Sequence, residues 1–258
     1  CLNEDPKKRP SISKLIGFFL QINSVLNITI NDPHALFNIG VIYYEGKYIT
    51  QDINKSIYYY SLAANHNDSQ SQYNLGVIYS DGKYVTRDIN KSIYYYSLAA
   101  NQNISKAQFN LGLIYYEGKY ITRDINKSIY YYSLAANQNY SKAQFNLGLI
   151  YVEGKYIAQD IDKSIHYFSL AADQNDLHAQ YILGFIYYEG KYIARDINKA
   201  IYYYSLAANQ NYSEAQFNLG VIYSDGKYIT PDINKAMHYY LLAANQNYSQ
   251  SQFNLGVI

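Results

Sequence analysis

This chain holds one cysteine, one methionine, four prolines and no tryptophan in 258 residues. Cys1 alone closes no disulfide within the chain, which excludes the stapled scaffold of small secreted domains. It also fits a reducing compartment, and the expected location is the cytoplasm. Metal-binding patterns are missing too. His34, His66, His166, His178 and His238 fall at unlike positions and form no His-x3-His or Cys/His set. No apolar run reaches the ~18 residues of a membrane span, and no basic-plus-apolar leader opens the chain. Neither charge is in excess: 21 Lys and Arg stand against 20 Asp and Glu, a net +1. A field that weak does not draw in nucleic acid or an anionic bilayer, so neither is an expected partner. A Gly-rich phosphate loop, a kinase catalytic loop and a magnesium-binding triplet are absent. No cofactor, no metal and no enzyme activity are expected of this chain.

What the chain has in quantity is tyrosine, 35 of them, and repetition. Gly40, Gly76, Gly112, Gly148, Gly184, Gly220 and Gly256 are spaced by 36 residues, and so are Gly46, Gly82, Gly118, Gly154, Gly190 and Gly226. A fixed period of that size, without insertion or deletion, predicts an all-α array of stacked helical hairpins, a solenoid in which one unit is copied along an axis.

Residues 32–67 define the unit. Pro33 suits the first turn of helix A. Ala35, Ile39, Ile42 and Tyr43 make its apolar stripe, with Phe37 and Val41 opposite, as expected of a helix clamped on two sides. Gly46 ends helix A in the left-handed conformation. Asp52 caps helix B, and Asp88, Asp124, Asp160, Asp196 and Asp232 repeat it. Ile53, Ser56, Ile57, Tyr60, Ala63 and Ala64 form the inner face of helix B. Asn67 and its copies end it, because Asn tolerates a positive φ. Gly40, Gly76, Gly112, Gly148, Gly184 and Gly220 lie inside helix A, where glycine costs about 1 kcal/mol relative to alanine. Such a repeated cost predicts close approach of helix B, with Ala63 and Ala64 as the complement.

One strip of helix A stays polar: His34, Asn38 and Glu45. Its copies are Gln70, Asn74, Asp81; Lys106, Asn110, Glu117; Lys142, Asn146, Glu153; His178, Ile182, Glu189; and Glu214, Asn218, Asp225. A row of asparagines can bind an extended peptide backbone through donor and acceptor together. Equally, each asparagine can bond a neighbouring turn and only hold the stack. On helix B, Tyr58 and Leu62 point away from the inner face, as do Tyr94 and Leu98, Tyr130 and Leu134, and Tyr202 and Leu206. Either neighbouring helices cover them or they form an exposed convex ridge, the usual mark of an interaction surface. Asn103, Asn139, Asn211 and Asn247 stand in Asn-x-Ser sequons, which a repeat rich in Asn and Ser produces by chance and which a secreted protein would glycosylate.

The segment Ala107-x-Phe109-Asn110-Leu111-Gly112-x-Ile114-Tyr115-x-x-Gly118, then Asp124-x-x-Lys127-Ser128-x-x-Tyr131-Tyr132-x-x-Ala135-Ala136, resembles the Sel1-like repeat, a relative of the tetratricopeptide repeat. It occurs six times over residues 32–247, and residues 248–258 begin a seventh copy. The resemblance implies an α/α superhelix that binds a protein or peptide in a concave groove. The groove residues would be Asn38, Asn74, Asn110, Asn146 and Asn218 with Glu45, Asp81, Glu117, Glu153, Glu189 and Asp225. Two departures stand out: Asn where the family often has Gly near the end of helix B, and the triplet Tyr94-Tyr95-Tyr96 where it tends to start with a charge.

Residues 1–26 do not follow the repeat. Cys1-Leu2-Asn3-Glu4-Asp5-Pro6-Lys7-Lys8-Arg9-Pro10-Ser11 is similar to the closing segment of a protein kinase C-lobe, of the tyrosine-kinase-like group. The resemblance implies that Arg9 is structural, pairing with a glutamate upstream of this chain, and that residues 27–31 link lobe to array. The expected function is a scaffold or adaptor forming the regulatory or substrate-recruiting part of a protein kinase, with the kinase lobe itself as a further partner in cis. The alternative is a lumenal quality-control adaptor without a kinase.

Overall fold

The computed structural model describes residues 32–47 and 49–257. The kinase-like segment with Arg9, and the linker at 27–31, lie outside the described residues. Among the described residues there are thirteen helices and no strand. They are α1 (Pro33–Glu45), α2 (Ile53–Asn65), α3 (Ser69–Asp81), α4 (Ile89–Asn101), α5 (Ser105–Glu117), α6 (Ile125–Ala136), α7 (Ser141–Glu153), α8 (Ile161–Asp173), α9 (Leu177–Glu189), α10 (Ile197–Asn209), α11 (Ser213–Asp225), α12 (Ile233–Ala244) and α13 (Ser249–Leu255). Odd numbers are helix A of each repeat, even numbers helix B.

Local chemistry starts each helix B, and stops both helices of the six full repeats, as the sequence predicts. Asp52, Asp88, Asp124, Asp160, Asp196 and Asp232 each accept the backbone N–H three residues on, all at 3.0 Å. Gly46, Gly82, Gly118, Gly154, Gly190 and Gly226 end helix A with φ between +60° and +67°. Helix B ends at Asn67, Asn103, Asn139, Asn175, Asn211 and Asn247, the described non-glycine residues with positive φ. The side-chain amide makes that conformation tolerable where other L residues strain.

The chain forms two compact units, divided between Arg123 and Asp124. In the first, α1 packs on α2 and α3 on α4, while α2 touches α3 and α4 touches α5. Its core gathers Tyr60, Ala64, Leu75 and Ile78, with Phe37 and Val41 against it. In the second, α7 pairs with α8, α9 with α10 and α11 with α12, and each helix B again touches the helix A that follows it. Phe168, Ala171, Ala172, Ala179, Leu183 and Ile186 form one core cluster there; Ala200, Tyr204, Leu219 and Ile222 belong to another.

Helix B does press on the helix A glycine, but with an aromatic ring rather than with its alanines. A Cβ on Gly40 would stand 2.6 Å from the Tyr60 ring, and one on Gly148 2.6 Å from the Phe168 ring. Gly76, Gly184 and Gly220 meet Tyr96, Tyr204 and Tyr240 in the same way, and Gly112 is buried at the matching place in α5. Ala64 instead faces the next repeat, where it packs with Leu75. The tyrosine triplet thereby divides its work. The third ring covers the glycine. The second stacks on helix A, as Tyr59 does on Tyr43 with centroids 5.7 Å apart. The first, Tyr58, stays outside.

Candidate docking surface

The polar strip divides into two kinds of residue. Glu45, Asp81, Glu117, Glu153, Glu189 and Asp225 are all exposed at the last turn of helix A. Asn38 is exposed as well, but Asn74, Asn110, Asn146 and Asn218 are half-buried. The reason is a phenol on the preceding helix B. Asn146 Nδ2 donates to the Tyr132 hydroxyl at 3.0 Å. Asn74 lies beside the Tyr60 hydroxyl, and Asn110 beside that of Tyr96. Asn218 lies beside the Tyr204 hydroxyl without a bond of normal geometry. Where the strip has Ile182 instead, the opposing residue is Phe168, and the two pack together. At Asn146 the asparagine thus joins two repeats. Burial pushes the Tyr60 phenol up to about 12, opposed in part by Asn74 and Ser56 beside it. Burial likewise raises Tyr96 and Tyr204.

Two further rows at the seam escaped the reading of the sequence. Gln72, Gln108, Gln144, Gln180 and Gln216 are buried, and each donates to an alanine carbonyl of the preceding helix B, as Gln144 does to Ala136 at 3.2 Å. Gln102, Gln174, Gln210 and Gln246, at the ends of helices B, donate in turn to Gln72, Gln144, Gln180 and Gln216. The first repeat has Leu36 and His66 at these two places, so the pair is lost together. That joint loss, 30 residues apart, was the available signal. The second row is arginine. Arg87 Nε donates to the Ser80 carbonyl at 2.8 Å and Nη2 to the Asp81 carbonyl at 2.9 Å, capping α3. Arg123 and Arg195 cap α5 and α9 alike. A cation at carbonyls left open by the helix end also answers its dipole.

One cavity in the first unit, about 270 Å³, joins these features. Asn110 and Glu117 of the strip line it, with Ser80, Arg87, Tyr96, Lys119 and Tyr120. Its rim offers a carboxylate, an amide and two cations, and its walls are isoleucine, leucine and aromatic rings. On helix B, Tyr58, Tyr94, Tyr130 and Tyr202 are exposed, so this ridge is open to solvent, while Leu62, Leu98, Leu134 and Leu206 are half-buried beside it. Each exposed ring leans edge-on against the next tyrosine in sequence, as Tyr94 does on Tyr95 at 5.1 Å. No group of three or more His, Cys, Asp or Glu able to hold a metal occurs among the described residues. No described helix is long and apolar enough to cross a membrane.

Comparison with solved structures finds the same architecture. A protective antigen of uropathogenic Escherichia coli with an SLR fold is 29% identical with a TM-score of 0.82, covering 94% of this chain and 51% of its own. A Sel1 repeat protein of Oxalobacter formigenes is 29% identical with a TM-score of 0.71, covering 87% and 65%. The chain thus spans about half the length of the first and under two thirds of the second. Among curated proteins none matches. The Sel1 repeat signature matches residues 33–68, 69–104, 105–140, 141–176, 177–212 and 213–248, and does not reach the kinase-like segment. Sel1 repeat proteins are protein–protein interaction scaffolds, built on a non-catalytic fold. With six such repeats, the chain belongs to the Sel1 repeat family.

Proposed function

We propose that this chain docks a polypeptide partner along the helix A strip of its first unit, with Glu45, Asp81 and Glu117 as exposed contacts and Asn74 and Asn110 as a half-buried floor; Glu153, Glu189 and Asp225, with Asn146 and Asn218, offer the same kind of strip within the second unit. The observation that carries this reading is the cavity beside Asn110 and Glu117, where strip residues line a recess. Recesses with an apolar wall and a few polar groups are where binding energy concentrates. The exposed rings of Tyr58 and Tyr94 in the first unit, and of Tyr130 and Tyr202 in the second, are the competing surface, because exposed aromatic patches also mark contacts.

Charge reversal decides between them. Asp81→Lys with Glu117→Lys is expected to abolish capture of the native partner, while Tyr58→Ser with Tyr94→Ser leaves capture intact. The opposite pattern would move the docking surface to helix B. The finer reading, a recruiting or autoinhibitory array behind a protein kinase in the cytoplasm, rests on the resemblance of residues 1–11 and on the single cysteine. The coding sequence upstream of Cys1 tests it directly. Glycosidase sensitivity at Asn103, Asn139, Asn211 or Asn247 would favour the lumenal adaptor instead.

A further inference from the structure

Six helix A residues hold the key to the cavity: Tyr44, Ser80, Tyr116, Val152, Tyr188 and Ser224 occupy the same place in their repeats. At Tyr44 and Tyr188 the ring packs edge-on against the loop tyrosine of the next repeat. Tyr44 meets Tyr84 at 5.9 Å and 77°, and Tyr188 meets Tyr228 at 6.0 Å and 90°. Ser80 has no ring to offer Tyr120. Exposure of the loop tyrosine follows the size of its cover. Tyr84, behind Tyr44, is 37% exposed; Tyr192, behind Val152, 43%; Tyr120, behind Ser80, 50%.

The junction at α9–α11 is a matched control. Arg195 lies over the Tyr228 ring at 4.4 Å, as Arg87 lies over Tyr120 at 4.7 Å. Tyr204, Asn218 and Ile222 repeat Tyr96, Asn110 and Ile114. With Tyr188 present, Tyr228 is half-buried even though the arginine stacks in the same way. The cavity therefore includes the place that an aromatic ring takes at those junctions. At about 270 Å³ it falls below the ~300–1,000 Å³ usual for small-molecule sites and suits a single side chain.

We propose that the recess between Ser80 and Tyr120 is a socket for one aromatic side chain of a bound polypeptide, tyrosine above all, which takes the position that the chain's own Tyr44 and Tyr188 take at other junctions. This deepens the docking reading above and rests on it. The incoming ring would lie edge-on to Tyr120, the geometry aromatic pairs prefer. Its polar tip would meet the rim of Asn110, Arg87 and Glu117.

The test uses the whole chain and N-acetyl-tyrosine amide as the probe, followed by nuclear magnetic resonance. Saturable shifts are expected at Ser80, Asn110 and Tyr120, with N-acetyl-leucine amide at least ~10-fold weaker. Ser80→Tyr plugs the socket with the side chain native to other repeats and is expected to remove the shifts at unchanged melting temperature. Tyr188→Ser is expected to open a second socket, with new shifts at Tyr228. Either variant decides the matter if the other fails to fold. Absence of saturable shifts in the native chain, equal binding of the leucine probe, or full binding by Ser80→Tyr overturns the socket. The docking reading stands or falls separately, on the charge-reversal variants.

Discussion

Asn146 donates to the Tyr132 hydroxyl at 3.0 Å, and at the next junction, where Ile182 replaces the asparagine, Phe168 of the preceding repeat replaces the phenol. A buried hydroxyl needs a partner, whereas two apolar groups of similar shape need none. The chain contains both solutions, so each can be moved to the other's place.

Asn146→Ile alone is expected to destabilise by about 1–3 kcal/mol, because the buried Tyr132 hydroxyl loses the Asn146 amide. Asn146→Ile with Tyr132→Phe is expected to recover most of that loss. Urea unfolding of the two singles and the double forms a cycle that reads the coupling. Additive losses would show that the pair does not act as a unit.

Gly148→Val is expected to cost about 1–3 kcal/mol or more, since the new Cβ would stand 2.6 Å from the Phe168 ring. Phe168→Ala in the same chain makes room, so the double variant should lose less than the sum of the two singles. Thermal unfolding of the single and double variants checks this.

Gln144→Ala removes the donor to the Ala136 carbonyl at 3.2 Å and the acceptor for Gln174 at 2.6 Å. A loss of about 1–3 kcal/mol is expected for polar groups left buried and unpaired. Gln144→Leu with Gln174→His, the combination of the first repeat, should lose less. Amide hydrogen exchange near Ala136 measures where the seam opens.

Alkaline stability follows from Tyr60. Its phenol is pushed up to about 12 in the folded chain, chiefly by burial, against about 10 when unfolded. The folded state therefore favours the neutral phenol. Its contribution is complete below about pH 10 and is lost as pH rises from there through about 12. Urea midpoints should fall across that window, and Tyr60→Phe should fall less steeply. An equal slope in the variant would assign the effect to other groups.

Much of this architecture was readable one residue at a time. The caps at Asp52 and Gly46, the left-handed turns at Asn67 and its copies, and the hairpin itself follow from local backbone preferences repeated at fixed spacing. The glycine inside helix A announced a close approach, but not that an aromatic ring makes it. Ala63 and Ala64 were the natural small complement, and only the packed helices show Tyr60 over Gly40 and Ala64 turned to the next repeat. The buried glutamines and the capping arginines went unread because neither residue type signals burial or capping by itself.

The sequence by itself determined the period, the helices, their ends and the family, because each depends on contacts within a few residues or on copies of one pattern. Only the tertiary structure decided which asparagines face a phenol, which arginine lies over which ring, and that Ser80 leaves a recess beside Tyr120. Those facts depend on side chains 14 to 40 residues apart meeting across a seam, and one period carries no record of which copies meet.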